Sequence, residues 1–339
     1  MRFCLLTLAL LFLLPAAGLQ AEDDVAPPAS KSAPAGQSVD IYTLPANADV
    51  PALVKFMETL SSFEPQTAQE SLLHRKKARV AILDAARKIV ALEKDDPSAA
   101  TYTAKSILLG SEMRGLIAAS PNERKYYIGQ VAELIASGTP GRQQLELARE
   151  TSSLLERLDP TTAILAYETF GPLFAKSRDK RLATTSKLME GAIRRLQLPG
   201  NTLQFAGDKL DGTPFDIAEL KGKVVLLDFW ATWCGPCLAE IPNLRRLYSK
   251  YHNQGFEIVG LSTDHDRTRL EAFLTKRELP WIILHDEENE GEHPVMTEYG
   301  IFGIPTMFLI GRDGKVIDVH ARGESLTELL EAQFETTGE

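Results

Sequence analysis

Residues 226–244 read LLDFWATWCGPCLAEIPNL, and this stretch decides the fold of the carboxyl-terminal part of the chain. The apolar, β-branched run at its start predicts a buried strand. Leucine and isoleucine then recur at three-residue steps, which predicts a helix. Cys234 and Cys237 therefore lie where a strand passes into a helix, with Cys234 at or near the helix N-terminus.

A helix N-terminus stabilises an anion, through its orphan backbone N–H groups and the positive end of its dipole. A thiolate is such an anion, so Cys234 is predicted to be a redox-active cysteine. Thiol–disulfide exchange needs one thiolate that attacks and a second thiol that releases the mixed disulfide, and Cys234 and Cys237 could form such a pair. Two alternatives are weaker: a zinc site would need another ligand pair, and a structural disulfide would close too small a loop to add much stability.

The sequence motif around these cysteines resembles that of a known family. DFWATWCGPC is similar to the active-site segment of thioredoxins, and YGIFGIPT at Tyr299–Thr306 is similar to their cis-proline segment. Residues 199–339 thus resemble the TlpA/ResA type of thioredoxin-like protein. The resemblance implies an α/β thioredoxin-like fold, a central mixed sheet flanked by helices, and thiol:disulfide oxidoreductase activity.

The resemblance also implies catalytic roles. Cys234 would attack, Cys237 would resolve, and Asp228 would be a buried acid that takes a proton from the resolving thiol. An exposed acid at a strand end is the alternative for Asp228. Thioredoxins place a lysine on the neighbouring strand, whereas Gly260 stands at the matching place here. Glu240, one helical turn beyond Cys237, would share the proton management, or else be a solvated helix acid.

The substrate-binding residues are also inferred from the resemblance. The Ile304–Pro305 bond is expected to be cis and to offer backbone hydrogen bonds to an extended substrate. Trp233, Gly235 and Pro236 would flank or form the exposed face of the cysteine pair.

The 339 residues predict two domains, and the formal charge of −9 argues against a nucleic-acid surface. Residues 1–21 are typical of a cleaved signal peptide, with an uncleaved membrane anchor as the alternative. Residues 22–45, rich in Ala, Pro and Ser, predict a disordered linker. The protein is therefore expected in the periplasm or cell envelope.

Helical periodicity predicts an all-α domain over residues 46–198, with six or seven helices. A thioredoxin-like domain is predicted over residues 199–339, where strands and helices alternate. A β-hairpin is expected from Leu203–Phe205 and Thr213–Ile217. The further expected strands are Lys223–Phe229, Phe256–Ser262, Trp281–Leu284, Thr306–Ile310 and Val316–Val319.

An acidic segment, HDEENEGEH at residues 285–293, could hold a cation, but its spacing does not match a calcium loop. A solvated loop is the favoured interpretation, so neither a metal nor a cofactor is expected.

The sequence thus predicts an exported thiol:disulfide oxidoreductase. The thioredoxin-like motifs favour a reductase. Its expected substrates are disulfide-bearing envelope proteins such as an apocytochrome c. The family implies a membrane electron donor of the DsbD or CcdA type. Two alternatives remain open: a peroxiredoxin-type peroxidase, disfavoured by Ala231 where a threonine is expected, and a helical scaffold or client-binding protein with an accessory redox domain.

Overall fold

The computed structural model describes residues 40–138, 141–285 and 294–335. The chain forms two compact units, residues 1–151 and 152–339. The division falls inside a helix and not at residues 198/199, where the helical sequence pattern ends. None of the helices in the described ranges is long and apolar enough to cross a membrane.

The described helices alternate with short strands only after residue 205. The α-helices are α1 (Val50–Ser61), α2 (Ala68–Leu92), α3 (Ala99–Glu112), α4 (Pro121–Ala136), α5 (Arg142–Leu158), α6 (Pro160–Ala175), α7 (Lys180–Leu196), α8 (Gly235–Tyr251), α9 (Arg267–Lys276), α10 (Pro294–Glu298) and α11 (Gly323–Phe334). The strands are β1 (Ala206–Asp208), β2 (Pro214–Asp216), β3 (Val224–Trp230), β4 (Phe256–Ser262), β5 (Ile282–His285), β6 (Thr306–Ile310) and β7 (Val316–Asp318).

The first unit contains α1 to α4 and the start of α5, and each of the helices α1 to α4 begins at a side-chain cap. Ser120 and Glu123 form a capping box at the start of α4, in which each side chain accepts a hydrogen bond from the backbone N–H of the other residue. Two N–H groups without a partner in the helix are thereby satisfied. The apolar faces of α1, α2 and α3 share one buried cluster that includes Leu53, Ile82 and Ile107.

The carboxyl-terminal end of the predicted linker, residues 40–45, is described by the structure. Residues 22–39 of the linker, like the predicted signal peptide, lie outside the described residues. Tyr42 and Leu44, however, pack against the buried cluster of the first unit, and the Tyr42 hydroxyl lies 2.9 Å from His74 Nδ1. The linker prediction is therefore wrong at its end, because a tyrosine and a leucine can bury apolar surface even beside prolines and glycines.

Helices α6 and α7 belong to the second unit. The residues that recur at helical spacing along α7 are all buried, as their pattern predicts: Leu182, Thr185, Met189, Ala192 and Leu196. Pro172 lies in the last turn of α6. Only one backbone hydrogen bond is lost there, and the preceding turns are complete.

The sheet of the second unit has the strand order β5-β4-β3-β6-β7. Strands β3, β4 and β5 run parallel, whereas β6 and β7 are antiparallel to their neighbours, which confirms the predicted mixed sheet. Strand β3 is buried along its whole length, because the sheet has helices on both faces. The predicted hairpin forms as β1 and β2, a few residues later than expected on its first side.

Candidate active site

The two cysteines lie at the junction of β3 and α8. Cys234 is the N-cap residue of α8, and its Sγ accepts a hydrogen bond from the backbone N–H of Cys237 at 3.2 Å. The two sulfurs form a disulfide bond. Both side chains are buried, whereas Gly235 and Pro236 between them are exposed. The arrangement matches the predicted position of a reactive cysteine, because a negative charge on Cys234 would face the N–H groups of the first helical turn.

An exposed tryptophan marks the outer surface beside this junction. Trp233 is 53% exposed, whereas the other two tryptophans, Trp230 and Trp281, are buried. A solvent-facing indole next to the cysteines offers apolar contact to an incoming chain.

Asp228 lies beneath the cysteine-bearing helix. It is only 5% exposed, so the predicted buried acid is confirmed and the alternative of a solvent-facing acid is wrong. Its neighbours on the same strand face, Leu226 and Trp230, belong to the buried cluster that contains both cysteines. Burial, and secondarily the negative charge of Glu240, raises the pKa of Asp228 to about 7. Such an acid can exchange a proton near neutral pH.

The residue opposite Asp228 on β4 is Gly260, as the sequence suggested. A Cβ atom at this position would lie 3.0 Å from the indole Nε1 of Trp230, so the tryptophan ring fills the space where a longer β4 side chain would extend. The lysine that thioredoxins place here therefore has no counterpart. Asp228 Oδ1 has no hydrogen-bond partner in the described ranges.

Glu240 is not a freely solvated helix acid. Its side chain is 15% exposed, and its Oε1 lies 3.2 Å from Nε of Arg322. It lies close enough to Asp228 for its charge to raise the pKa of that residue. The predicted pairing of two acids beside the cysteines is thus consistent with the structure, although Glu240 also has a cationic partner.

The cis-proline segment closes the site from the β6 side. The Ile304–Pro305 peptide bond is cis, as predicted. Ile304 packs against the buried cluster that contains Cys234 and Cys237, so both sequence motifs contribute to the same cluster. Strand β6 begins immediately afterwards, at Thr306.

Comparisons with known proteins identify the chemistry of this arrangement. The Redoxin family matches residues 198–335. Thiol-disulfide oxidoreductase ResA of Bacillus thuringiensis subsp. konkukian (strain 97-27) is 34% identical over 137 residues, which cover 40% of this chain and 76% of the relative. ResA of Halalkalibacterium halodurans is 33% identical over 132 residues, 39% of this chain and 72% of the relative.

The chain belongs to this family of ResA thiol-disulfide oxidoreductases. A putative thiol-disulfide oxidoreductase from Bacteroides vulgatus, known from a solution structure, is 36% identical in sequence. The match covers 40% of this chain and 87% of the Bacteroides chain, with a TM-score of 0.35. The ResA-like segment begins near residue 198, so α1 to α7 lie outside the matched region.

One residue that supports the ResA-like site was not predicted from the sequence. Asp264 is buried just after β4, and its carboxylate accepts hydrogen bonds from the backbone N–H of Thr232 at 2.9 Å and from the hydroxyls of Thr232 and Ser262. It therefore holds the turn that leads into Cys234. An acid at the carboxyl end of a strand that neighbours β3 was the available indication in the sequence.

His285 was predicted to begin an acidic loop, and this is wrong. It is the last residue of β5, it is buried, and its Nε2 lies 2.6 Å from the carbonyl oxygen of Asp264. The strand therefore continues one residue further than predicted. The His285 ring can be buried there because it forms a hydrogen bond with a backbone carbonyl group. Residues 286–293 of the predicted loop lie outside the described residues. The described ranges hold no cluster of three or more His, Cys, Asp or Glu able to bind a metal.

Proposed function

We propose that this ResA-type oxidoreductase is a reductase that transfers two electrons from its Cys234–Cys237 dithiol to disulfides of exported polypeptides. The observation that carries the proposal is the position of Cys234, which caps α8 beside an exposed Trp233 and above an acid whose pKa is about 7. The exposed surface can receive a substrate chain, and the buried acid can accept the proton that the reaction releases.

The proposed reaction has two exchange steps. In the first, the Cys234 thiolate attacks one sulfur of the substrate disulfide, and the other substrate sulfur leaves as a thiolate. In the second, the Cys237 sulfur attacks Cys234 Sγ and releases the first substrate sulfur. The substrate gains two electrons, and the protein is left with the Cys234–Cys237 disulfide seen in the structure.

The second step needs a proton acceptor, because Cys237 is buried and attacks only as a thiolate. Asp228 lies on the strand face that packs against the cysteines, and its raised pKa suits proton acceptance at neutral pH. Once the substrate has left, the proton on Asp228 can return to solvent or to an incoming electron donor.

The residues around the sulfurs support the proposed direction of electron flow. Gly235 and Pro236 between the cysteines, and Ile304 before the cis proline, match thioredoxins rather than strong oxidants. A reductase in an oxidising compartment needs a supply of electrons. We assign this role to a membrane donor of the DsbD or CcdA type, with disulfide-bearing envelope proteins such as an apocytochrome c as substrates. The predicted signal at residues 1–21 would deliver the protein to the periplasm or envelope.

The reduction potential of the Cys234–Cys237 pair tests the proposal. The full chain is equilibrated with defined ratios of reduced and oxidised dithiothreitol or glutathione, and the free thiols are counted by alkylation and mass. A reductase is expected near the thioredoxin value of about −270 mV. A potential near about −120 mV, as in a strong oxidant, would overturn the proposed direction. The two outcomes differ by about five powers of ten in the equilibrium constant, since about 30 mV is tenfold for two electrons.

A further inference from the structure

The segment that leads to the cis proline is held by helices that precede the ResA-like part of the chain. Arg194 of α7 donates from Nε to the carbonyl oxygen of Glu298 at 2.9 Å. The neighbouring Arg195 donates from Nε to the carbonyl oxygen of Tyr299 at 3.1 Å. These carbonyl groups lie at the end of α10, a few residues before Pro305. Two consecutive arginines of one helix thus bind two consecutive carbonyl groups of the substrate-binding segment.

Arg195 is itself fixed by a buried ion pair. Its two terminal nitrogens donate to the two carboxylate oxygens of Glu156, at 2.7 and 3.1 Å. The two side chains are only 6% and 7% exposed. The Tyr167 hydroxyl adds a hydrogen bond to Glu156 Oε1 at 2.6 Å, and His320 Nε2 lies 3.3 Å from Oε2. Both terminal nitrogens of the guanidinium therefore bind the carboxylate, while its Nε–H donates to the carbonyl oxygen of Tyr299.

The same helices also contact the segment through rings and backbone. The Tyr167 ring of α6 stacks on Phe302, three residues before the cis proline, with 6.0 Å between the ring centroids. A Cβ atom on Gly191 of α7 would overlap the carbonyl oxygen of Thr297, and one on Gly300 would overlap the α7 backbone. The two backbones therefore approach each other closely, which glycine alone permits.

A buried ion pair is weak evidence for stability, because well-packed apolar residues of similar volume serve as well or better. An apolar pair could not, however, donate a hydrogen bond to a carbonyl group of an irregular segment. We infer that Glu156 and Arg195 are positioning residues. Together they hold the segment from Tyr299 to Pro305 in the geometry that binds a polypeptide disulfide.

This inference rests on the proposed reduction of polypeptide disulfides, and it distinguishes two kinds of substrate. A polypeptide must form backbone hydrogen bonds along the cis-proline segment, as an added strand does. A small aromatic disulfide such as dithiobis(nitrobenzoate) needs only access to the Cys234 sulfur. Loss of the positioning contacts should therefore raise KM for polypeptides without changing the reaction with the small disulfide.

The experiment compares three variants of the full chain with the natural protein. Arg195→Lys keeps the charge but has a single nitrogen for the carboxylate and the carbonyl. Glu156→Gln removes the charge that orients the arginine. The double variant Glu156→Met/Arg195→Met replaces the pair by apolar side chains of similar length, which keeps the buried volume filled and leaves no unpaired buried charge. Glu190→Gln, on an exposed position of the same helix, is the matched control.

The measurements are kcat and KM for insulin reduction, the rate constant with dithiobis(nitrobenzoate), and the reduction potential. We expect KM for insulin to rise about tenfold or more, as for the loss of a charged hydrogen bond. The other two quantities should stay within about twofold of the natural protein, since Cys234 and its surroundings are untouched.

An unchanged KM in the double variant would overturn the inference. A parallel fall in the rate with the small disulfide, or a shifted potential, would also overturn it, because the contacts would then act on the cysteines or on folding in general. If the natural protein failed to reduce insulin but oxidised a dithiol peptide, the proposed direction would be refuted. The same KM comparison in the oxidising direction would then test the positioning role.

Discussion

Replacement of Asp228 by asparagine tests whether the buried acid keeps its proton up to neutral pH. Burial, and then the charge of Glu240, raises its pKa from 3.8 to about 7. Asparagine has nearly the same shape and does not titrate in this range. The variant therefore removes the titration and leaves the packing around the cysteines in place.

The effect on stability follows from the two pKa values. Below pH 3.8, Asp228 is protonated in the folded and the unfolded chain. As the pH rises towards about 7, the unfolded chain releases the proton and the folded chain keeps it. The contribution of Asp228 to the free energy of unfolding therefore falls by about 1.4 kcal/mol per pH unit. Across about 3 units the loss is on the order of 4 kcal/mol, and it is complete once the pH passes the folded pKa.

Urea unfolding of the oxidised protein measures this loss. The three tryptophans, Trp230, Trp233 and Trp281, all lie in the second compact unit, so their fluorescence reports its unfolding. Between about pH 4 and pH 8, the free energy of unfolding of Asp228→Asn should rise relative to that of the natural protein by up to about 4 kcal/mol. Glu328→Gln, at an exposed position of α11, is the control and should not gain. Parallel pH profiles for the natural protein and Asp228→Asn would refute the raised pKa.

Three further substitutions test the rest of the site and its support. Cys237→Ser should accumulate substrate as a mixed disulfide on non-reducing gels, because the resolving thiol is lost; free product would contradict this role. Glu240→Gln should lower the pKa of Asp228, since a repelling charge disappears. The pH midpoint of the same urea series should then move down, and an unmoved midpoint would contradict the coupling. Gly191→Ala should lower the free energy of unfolding of the second unit by about 1–3 kcal/mol or more, because its Cβ has no room. Gly129→Ala, a helical glycine in open space within the first unit, should instead raise the stability of that unit by roughly 0.5–1 kcal/mol; circular dichroism follows this unfolding, since all three tryptophans lie in the second unit, and equal effects would refute the close approach.

The sheet and the centre of the site could be predicted because their sequence patterns are local. Strands β4 and β6 begin and end where the apolar runs do. The position of Asp228 opposite Gly260 follows from the parallel pairing of two such runs. The two cysteines and the cis proline were recognisable because each lies in a short motif.

The support of the cis-proline segment could not be predicted, because it depends on contacts between distant parts of the chain. Helical spacing indicated that α7 is amphipathic, but it did not indicate that Arg195 would be buried beside Glu156. A charged pair normally suggests an exposed face. Likewise, nothing local indicated that Tyr167 would stack on Phe302, since stacking needs the folded positions of both.

The pairing of Asp228 with Gly260 has a consequence for how long the covalent intermediate lives. Asp228 has an acidic neighbour in Glu240 and no cation opposite it on β4, so it stays protonated in mildly acidic surroundings. A protonated acid cannot accept a proton, so in the proposed mechanism the second exchange step should slow by about tenfold for each pH unit below the pKa. Under the proposed mechanism, a mixed disulfide that has already formed should therefore resolve more slowly in mild acid than at neutral pH. Its lifetime would then be set by the protonation of one buried carboxyl group.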